Sequence, residues 1–487
     1  MSSRNERDKT LPTQEQPWLT GRDWLLLLIC LALAALFCHC FDFYRPQLDR
    51  YFREVGGCGF TLFLLGGLAA ALWRLGRRSW SKEQYAQIGV YLALACGFTL
   101  LGDPLLRQLN MLLCIVVVPW TLFSLAGVSS GSPWQGAALV QTLSRLLPSL
   151  FRFLPRPFLS LLRPSPGRRG RSLLLGLLLA LPLLLIVGSL LAAADAVFRG
   201  LFTDLEQWLE TLSLGRAAWV ALRTLFVGLC GFSLLYGLTQ PLPPSRERKL
   251  RPGLPLLSWN VILVLLDAVY LLFVVIQFAV LFGGSETAAI RGGFAEYARS
   301  GFFQLAAVAL LNLGLLLRAR QEWPDQKSLR ISGSLLLGCT AVILVSALWR
   351  MSLYIDSFGL SVLRAVTLWG MAMIGLALAL TGVKLWRPRF SIYKPLLIIV
   401  LVSRLAFNYS GVDRWVSQWN VDRYLSGELA QVDVDYLSRN LSPAARPALT
   451  DLAEQGHGKA QQALRELDDC RDQLTWADWS LPWLIYK

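Results

Sequence analysis

Eleven long apolar runs divide this 487-residue chain, and Lys and Arg side chains gather in every second gap between them. The runs lie at residues 24–41, 56–73, 86–102, 109–127, 172–194, 217–238, 255–283, 302–317, 332–349, 358–383 and 395–410. A helix rises about 1.5 Å per residue and the hydrocarbon core of a bilayer is about 30 Å thick, so most of these runs can cross it. The pattern predicts an all-α fold, a polytopic transmembrane helix bundle of about 11 helices.

The basic gaps determine the expected orientation of this bundle. They lie at residues 4–22, 74–82, 145–171, 246–251, 318–330 and 384–394. Loops rich in Lys and Arg stay on the cytoplasmic side of a membrane. We therefore expect a multi-pass protein of the bacterial inner (cytoplasmic) membrane, with its N-terminus in the cytoplasm and its C-terminus in the periplasm.

Three parts follow from this topology: a cytoplasmic N-terminal segment at 1–23, the transmembrane bundle at 24–410 and an extracytoplasmic helical tail domain at 411–487. The bundle includes an amphipathic cytoplasmic insertion at 134–171, where leucines recur at helical spacing among arginines. A second surface helix is predicted at 201–213 on the outer side. The tail is polar and acidic, and we expect it to pack on the outer face of the bundle.

Composition excludes several classes of protein. Hydrophobic residues make up 54% of the chain and charged residues only 16%, which is unlike an ordinary soluble protein. The net charge of +15 does not indicate nucleic-acid binding, because the basic residues are dispersed over loops that meet anionic lipid. Cys38, His39, Cys40 and Cys58 leave a metal site or a disulfide open, but small apolar packing explains them more simply. No cofactor and no metal is expected, and whether Cys40 and Cys58 pair is not decided by the sequence.

Ionisable side chains within apolar runs need a physical reason, because each costs about 2.5–3.5 kcal/mol to insert into a bilayer. Asp267, Arg223 and Gln277 are the polar residues predicted inside the membrane. One interpretation is that such groups pair across helices and hold the bundle together. The other is that they serve a function.

A set of charged residues and tyrosines is predicted to meet at the outer leaflet, beneath the tail. Its members are Asp195, Glu296, Tyr297, Arg299, Arg350, Tyr354, Asp356, Arg364 and Arg404. Arginine binds phosphate and carboxylate through two parallel hydrogen bonds. These residues are therefore candidate ligand-binding residues for an anionic headgroup or a lipid-linked ligand, and the alternative is that they lock the loops together through ion pairs.

Three segments, at residues 191–198, 261–303 and 350–364, together with 432–437 in the tail, resemble a family of bacterial multi-spanning proteins. This is the domain of unknown function 4173 type, which is closely similar to the 4153 type. The chain departs from the family's pattern at Phe294, where Tyr is expected, and at Gln304, where Glu is expected. The resemblance implies a helical membrane bundle continuous with the tail, and it implies no reaction.

The sequence favours a non-enzymatic role in transport, sensing or envelope assembly. It contains no phosphate-binding glycine loop and no HExxH helix, and it has only two histidines for acid–base chemistry. The expected partners are membrane lipids, an anionic lipid or lipid-linked ligand, and an envelope protein, with no nucleic acid. The alternative is a membrane-embedded transferase that acts on a lipid-linked substrate at the outer leaflet.

Overall fold

The protein is described from a computed structural model. The structure describes residues 18–40, 57–76, 78–127, 136–161, 214–240, 253–282, 302–472 and 479–486, with the single residues 132, 134 and 476. Every regular element within these residues is helical. The helices are α1 (Gly21–Cys40), α2 (Cys58–Leu75), α3 (Lys82–Leu100), α4 (Pro104–Leu125), α5 (Gly136–Arg152), α6 (Arg156–Leu161), α7 (Leu214–Gly237), α8 (Leu256–Phe282), α9 (Phe302–Glu322), α10 (Lys327–Phe358), α11 (Val362–Trp386), α12 (Tyr393–Asn408), α13 (Val412–Leu425), α14 (Val434–Arg439), α15 (Arg446–Glu454), α16 (Gly458–Asp472) and α17 (Leu481–Ile485), with a 3₁₀ helix at Pro443–Ala445.

The helices agree with the predicted apolar runs wherever the two can be compared. Ten of the eleven runs fall on helices, and the fifth run, 172–194, lies outside the described residues together with the predicted surface helix at 201–213. In the described part of the chain, seven helices are long and apolar enough to cross a membrane, or up to eight if α12 and α13, which meet at 61°, form one bent span. The structure thus supports a multi-pass helical protein, and the count of about 11 crossings stays a prediction.

Helix ends are set by local capping residues. Ser81 and Gln84 form a reciprocal capping box at the start of α3. Asp103 accepts a hydrogen bond from the Leu106 amide and stands before Pro104, so α4 begins five residues before the apolar run predicted at 109. Gly359 ends α10 with φ of +75°, a left-handed conformation that favours glycine.

Contacts join helix ends next to the basic gaps that the structure describes, and we call this end of the bundle the basic end. Asp23 in the first turn of α1 forms an ion pair with Arg74 at the end of α2, at 2.7 Å. Lys394 of α12 pairs with Glu83 of α3 at 2.6 Å. At the same end Arg320 of α9 donates to the Leu385 carbonyl of α11. These contacts join helix ends that the charge alternation places on the same side.

The helices α13–α17 lie at the opposite end, here called the tail end. The Cys58 amide at the start of α2 donates to the Trp479 carbonyl at 3.0 Å, and the rings of His39 and Trp476 stack at 5.9 Å. Buried residues of α13–α16 share one apolar core with α10 and α11. The expected tail domain at 411–487 therefore packs on the bundle, although a separate domain is still only an expectation.

Three apolar clusters fill the interior. One unites α1–α4 and α7, a second unites α10 and α11 with the tail, and a third lies between α8, α9 and α10. Leu106 of α4 belongs to the second cluster, whereas Cys114, Val117 and Trp120 of the same helix belong to the first. The first turns of α4 are therefore where the two parts of the bundle and the tail meet.

We predict that Gly102→Ala weakens tail packing. A Cβ at residue 102 would overlap the Cβ and Oγ of Ser442 and press on the ring of Pro482. Overpacking of this kind costs about 1–3 kcal/mol. The measurement is thermal unfolding of the full chain in detergent. The matched control is Gly89→Ala in α3, where a Cβ meets nothing within 4 Å. Equal melting of both variants would contradict the packing described here.

Candidate ligand-binding cleft and its buried polar floor

A cleft of about 1520 Å³ opens at the tail end of the bundle. We call it the tail cleft. Its floor is residues 103–105 at the start of α4, and one wall is the turn and first residues of α11 at 360–364. The tail supplies the other walls, residues 429–437 and 456–459. The cleft is therefore formed by the packing of the tail on the bundle.

The length of α10 helps to form this cleft. Its 32 residues span roughly 48 Å, well beyond a bilayer core of about 30 Å. The helix continues past residue 349, where the apolar run ends, to Phe358. Asn420 of α13 then holds the following turn, since its side chain accepts from the Leu360 amide and donates to the Leu360 carbonyl, each at 2.7 Å. The tail thus fixes the α10–α11 turn through backbone groups.

Arg364 is the cationic side chain of this turn. Its guanidinium lies over the Tyr354 ring at 4.2 Å and donates to the carbonyls of Phe358 and Gly359. On the outer side of α10, Asp356 pairs with Arg423 of the tail at 3.1 Å. Stacking and hydrogen bonds hold the Arg364 guanidinium in place at the cleft. Binding of a ligand would therefore cost little further loss of side-chain freedom.

Beneath the floor lies a buried polar network, which we call the junction cluster. It comprises Asp103, Arg107 and Asn110 of α4, Arg404 and Asn408 of α12, and Asp413 of α13. Arg404 and Asn408 both donate to the Asn110 Oδ1, at 3.2 and 2.7 Å. The Arg107 Nε donates to the Leu101 carbonyl, and Arg107 is fully buried. The cluster joins helices from both parts of the bundle to the tail.

Two carboxyl groups of the junction cluster face each other. Asp103 and Asp413 are hydrogen-bonded through their side chains. Asp103 Oδ1 also accepts from the Leu106 amide at 2.6 Å, and Asp413 Oδ2 accepts from the Ser442 amide at 3.3 Å. Two buried carboxylates in contact repel each other, so the pair is stable when it holds a proton between them.

The surroundings of Asp103 favour its protonated form. Burial raises the pKa of Asp103 well above its usual range, and the charge of Asp413 raises it further. The Leu106 amide and Arg107 act in the opposite direction. Burial also raises the pKa of the neighbouring Tyr436 to about 12, so its hydroxyl is neutral and accepts from the Val362 amide. Asp103 can therefore hold and release a proton at the floor of the tail cleft.

The predicted ligand-binding residues separate into groups in the structure. Tyr354, Asp356 and Arg364 lie together at the α10–α11 turn, and Arg364 lines the cleft. Arg350 is half-buried on α10, before that turn. Arg404 belongs to the junction cluster, one layer below the floor. Asp195, Glu296, Tyr297 and Arg299 lie outside the described residues.

The predicted intramembrane polar residues lie at helix contacts away from the cleft. Arg223 of α7 donates to the Cys38 carbonyl of α1 at 2.8 Å, so it joins two helices. Asp267 of α8 is buried near Cys339 of α10. The side chain of Gln277 lies outside the described residues. The Arg223 contact links two helices, whereas for Asp267 both interpretations stay open.

Two further observations concern other polar groups of the molecule. In the described part of the chain, no three His, Cys, Asp or Glu side chains are grouped as metal ligands. One hydrogen-bonded chain runs between helices inside the bundle, from Tyr270 through Asn312 to Thr340, at 3.0 and 2.9 Å. This chain is remote from the tail and joins α8, α9 and α10.

A comparison with models of known protein families identifies the family of this chain. Residues 88–452 match the family model described as Domain of unknown function (DUF4153). The chain belongs to the DUF4153 family. The DUF4153 region begins in α3, earlier than the first resembling segment at 191–198, and the matching model is of the 4153 type, to which the expected 4173 type is closely similar. No curated protein and no solved structure shows a significant match. The DUF4153 region contains the junction cluster and most of the tail cleft.

Sequence reasoning missed the carboxyl pair and its neighbours on α4. A signal was present, because Asp103, Arg107 and Asn110 recur at spacings of four and three, which places them on one helix face. Because these three residues are polar, the apolar run is predicted to begin at residue 109, although α4 begins at Pro104. Asp413 and Tyr436 carry no such signal, since only the folding of the tail brings them to α4.

We predict that Asp103→Asn removes a pH dependence of stability. An unfolded Asp titrates near a pKa of about 3.9, and the folded pKa is higher, so the stabilisation is complete below the unfolded value and is lost as pH rises through the folded one. Asn keeps the helix cap and can donate to Asp413, as the protonated acid does. The variant should gain about 1–3 kcal/mol over the wild type at alkaline pH.

Thermal unfolding in detergent between pH 5 and pH 9 measures this difference. The control is Asp422→Asn on α13, which removes an exposed carboxylate. Its melting temperature should follow that of the wild type at each pH. If Asp103→Asn also follows the wild type, the pair does not share a proton.

Proposed function

We propose that this protein is a non-enzymatic, multi-pass protein of the bacterial inner membrane that binds an anionic lipid headgroup in the tail cleft, at the outer leaflet. A transport, sensing or envelope-assembly role would use that bound lipid. The tail cleft carries the proposal, because it places a fixed arginine at the end of the membrane helices and under a polar cap.

The charges of the cleft favour an anion. Arg364 stands on one wall and the exposed Lys459 on another. Arg439 adds a third base to the lining, against the exposed carboxylates of Asp433 and Asp435. Burial favours the protonated form of the remaining acid, Asp103. The lining therefore has an excess of one positive charge, which suits a phosphate, and arginine binds phosphate through two parallel hydrogen bonds.

Apolar residues beside the cleft favour a lipid over a free anion. Phe358 and Leu363 line the cleft and are also more than half exposed, so an acyl chain could leave the cleft along them. Trp415, Trp476 and Trp479 are exposed on the tail. Tryptophan side chains are enriched at membrane–water interfaces, which is consistent with a tail resting on the headgroup layer.

The orientation follows from the charge alternation. We propose that the basic end faces the cytoplasm and the tail end the periplasm. A phosphatase reporter fused after Lys487 should be active, and the same reporter fused after Arg330 should be inactive, with the reverse for a fluorescent reporter that folds only in the cytoplasm. The same compartment for both positions would contradict the proposed topology.

Lipid binding can be tested with charge variants of one helix. We expect Lys459→Gln to retain severalfold less phosphatidylglycerol than the wild type, because Lys459 lines the cleft. Arg465→Gln removes a positive charge from the same helix outside the cleft and should have no effect. Native mass spectrometry of the full chain in nanodiscs with equal phosphatidylglycerol and phosphatidylcholine provides the measurement.

Arg364→Gln gives an independent check from the opposite wall. It should reduce retention as Lys459→Gln does, and membrane insertion should be unchanged. Equal phosphatidylglycerol retention in all three variants would exclude the tail cleft as the lipid site. If those variants behave as wild type while Asp267→Asn inactivates the protein in cells, the functional site lies among the membrane helices.

The acid pair supports a second candidate, a transferase that acts on a lipid-linked substrate. Asp103 lies at the cleft floor with a proton to give, which is the property of a general acid. Under this alternative, Asp103→Asn keeps lipid binding and abolishes conversion of the lipid. Incubation with a membrane lipid extract, followed by mass analysis of the lipids, distinguishes binding without change from conversion.

A further inference from the structure

The helix α5 crosses the basic end of the bundle instead of continuing a span. Gly136 lies against the ring of Tyr393, the first residue of α12. Ala138, Thr142 and Arg145 surround a small space with Trp120 and Phe123 in the last turns of α4.

The other end of α5 reaches α7. The Ser233 hydroxyl donates to the Ser149 carbonyl at 2.7 Å and accepts from the Phe153 amide at 3.0 Å. Ser233 lies in the last turns of α7, which ends at Gly237. The helix α5 thus contacts three long helices at one end of the bundle. At this end α4 and α7 finish and α12 begins. Its axis must therefore run across the ends of those helices, roughly in the plane of the membrane.

The residues of α5 that are buried against the bundle are small or polar: Ala138, Thr142 and Ser149. Leu139 packs partly buried against the apolar core. Four other large apolar residues point away: Val140, Leu143, Leu147 and Phe151 are between 49% and 65% exposed. Their spacings of three and four residues place them on one face of the helix. A surface helix of a soluble protein has the reverse arrangement, with its apolar face toward the core.

Charge indicates what covers this apolar face. The sequence of α5 and α6, with the short link between them, contains three arginines and no acidic residue. Arg156 donates to the Tyr236 hydroxyl at 3.2 Å, and the guanidiniums of Arg152 and Arg156 lie over the Phe153 ring at 5.1 and 5.2 Å. The helical spacing places Arg145 and Arg152 on the side of α5 away from its exposed apolar face. A helix with an apolar face and arginines on its polar side complements an anionic phospholipid surface.

We propose that α5 and α6 form an in-plane membrane helix that embeds its apolar face in the leaflet at the basic end, with anionic phospholipids gathered at its arginines. The in-plane helix fills the space beneath the ends of α4 and α7 and anchors the bundle at a fixed depth. This site is separate from the tail cleft, which lies at the other end of the same helices, and neither depends on the other.

Photocrosslinking of the full chain in vesicles tests where the apolar face lies. The photoreactive amino acid p-benzoylphenylalanine is placed at Leu147, at Leu310 on the exposed side of α9 as a lipid-facing control, and at Arg465 on the tail as a water-facing control. We expect lipid adducts at residue 147 in a yield like that at 310 and far above that at 465. A yield like that at 465, or adducts to a second copy or to another protein, would overturn the proposal.

The lipid class is tested in vesicles of equal phosphatidylglycerol and phosphatidylcholine. The adducts at residue 147 should be enriched severalfold in phosphatidylglycerol, and the enrichment should fall toward one in the double variant Arg145→Gln, Arg152→Gln. The ratio is internal to each sample, so a lower yield of folded variant does not change it. Equal adducts of both lipids in the unsubstituted background would show an apolar anchor without anionic preference and would reject the arginine part of the proposal.

Discussion

The polar side chains buried at the first turns of α4 must satisfy one another, because apolar residues surround them. An unpaired polar group in such surroundings costs about 1–3 kcal/mol, and a charge costs more. Asn110 accepts from Arg404 and Asn408, and burial beside Asp413 raises the pKa of Asp103 and so favours its protonated form. These contacts need α4, α12 and α13 in one arrangement. The relative placement of the bundle and the tail therefore depends on this cluster.

The tail cleft is a consequence of the same arrangement. Asn420 and Tyr436 bind backbone groups of the α10–α11 turn, and Asp103 contributes to both the junction cluster and the cleft floor. A change in the protonation of Asp103 and Asp413 would therefore alter both the packing of the tail on the bundle and the shape of the cleft. This coupling links the pH dependence predicted for Asp103 to the proposed lipid site.

The two lipid-facing proposals rest on different physical features. In the tail cleft, the Arg364 guanidinium is held in place beneath the polar tail, an arrangement that suits the binding of a single lipid headgroup. The proposed in-plane helix presents a broad exposed apolar face, which suits a leaflet surface. Membership of the DUF4153 family covers the residues of the junction cluster and α5 but assigns no activity to either region.

Part of the candidate site could be predicted from sequence. The charge alternation indicated that the α10–α11 turn and the tail lie at one end, and Tyr354, Asp356 and Arg364 do meet there. Arg404 was expected in the same cluster because its depth in the apolar run looked similar. It lies instead one layer deeper, since helix rotation turns its side chain toward Asn110. Depth along a run can be read from sequence, whereas rotation about the helix axis depends on the neighbouring helices.

The sequence by itself determined the helical class, the positions of the described apolar helices and the shared end of the basic helix ends that the structure describes. Those properties follow from local apolarity and from charge, which each segment carries wherever it packs. Only the tertiary structure decided that Asp103 meets Asp413, that Asn420 holds the α10–α11 turn and that α5 turns its apolar face away from the bundle. Those contacts join residues that are distant along the chain, and their partners are selected by packing between helices, which no single segment encodes.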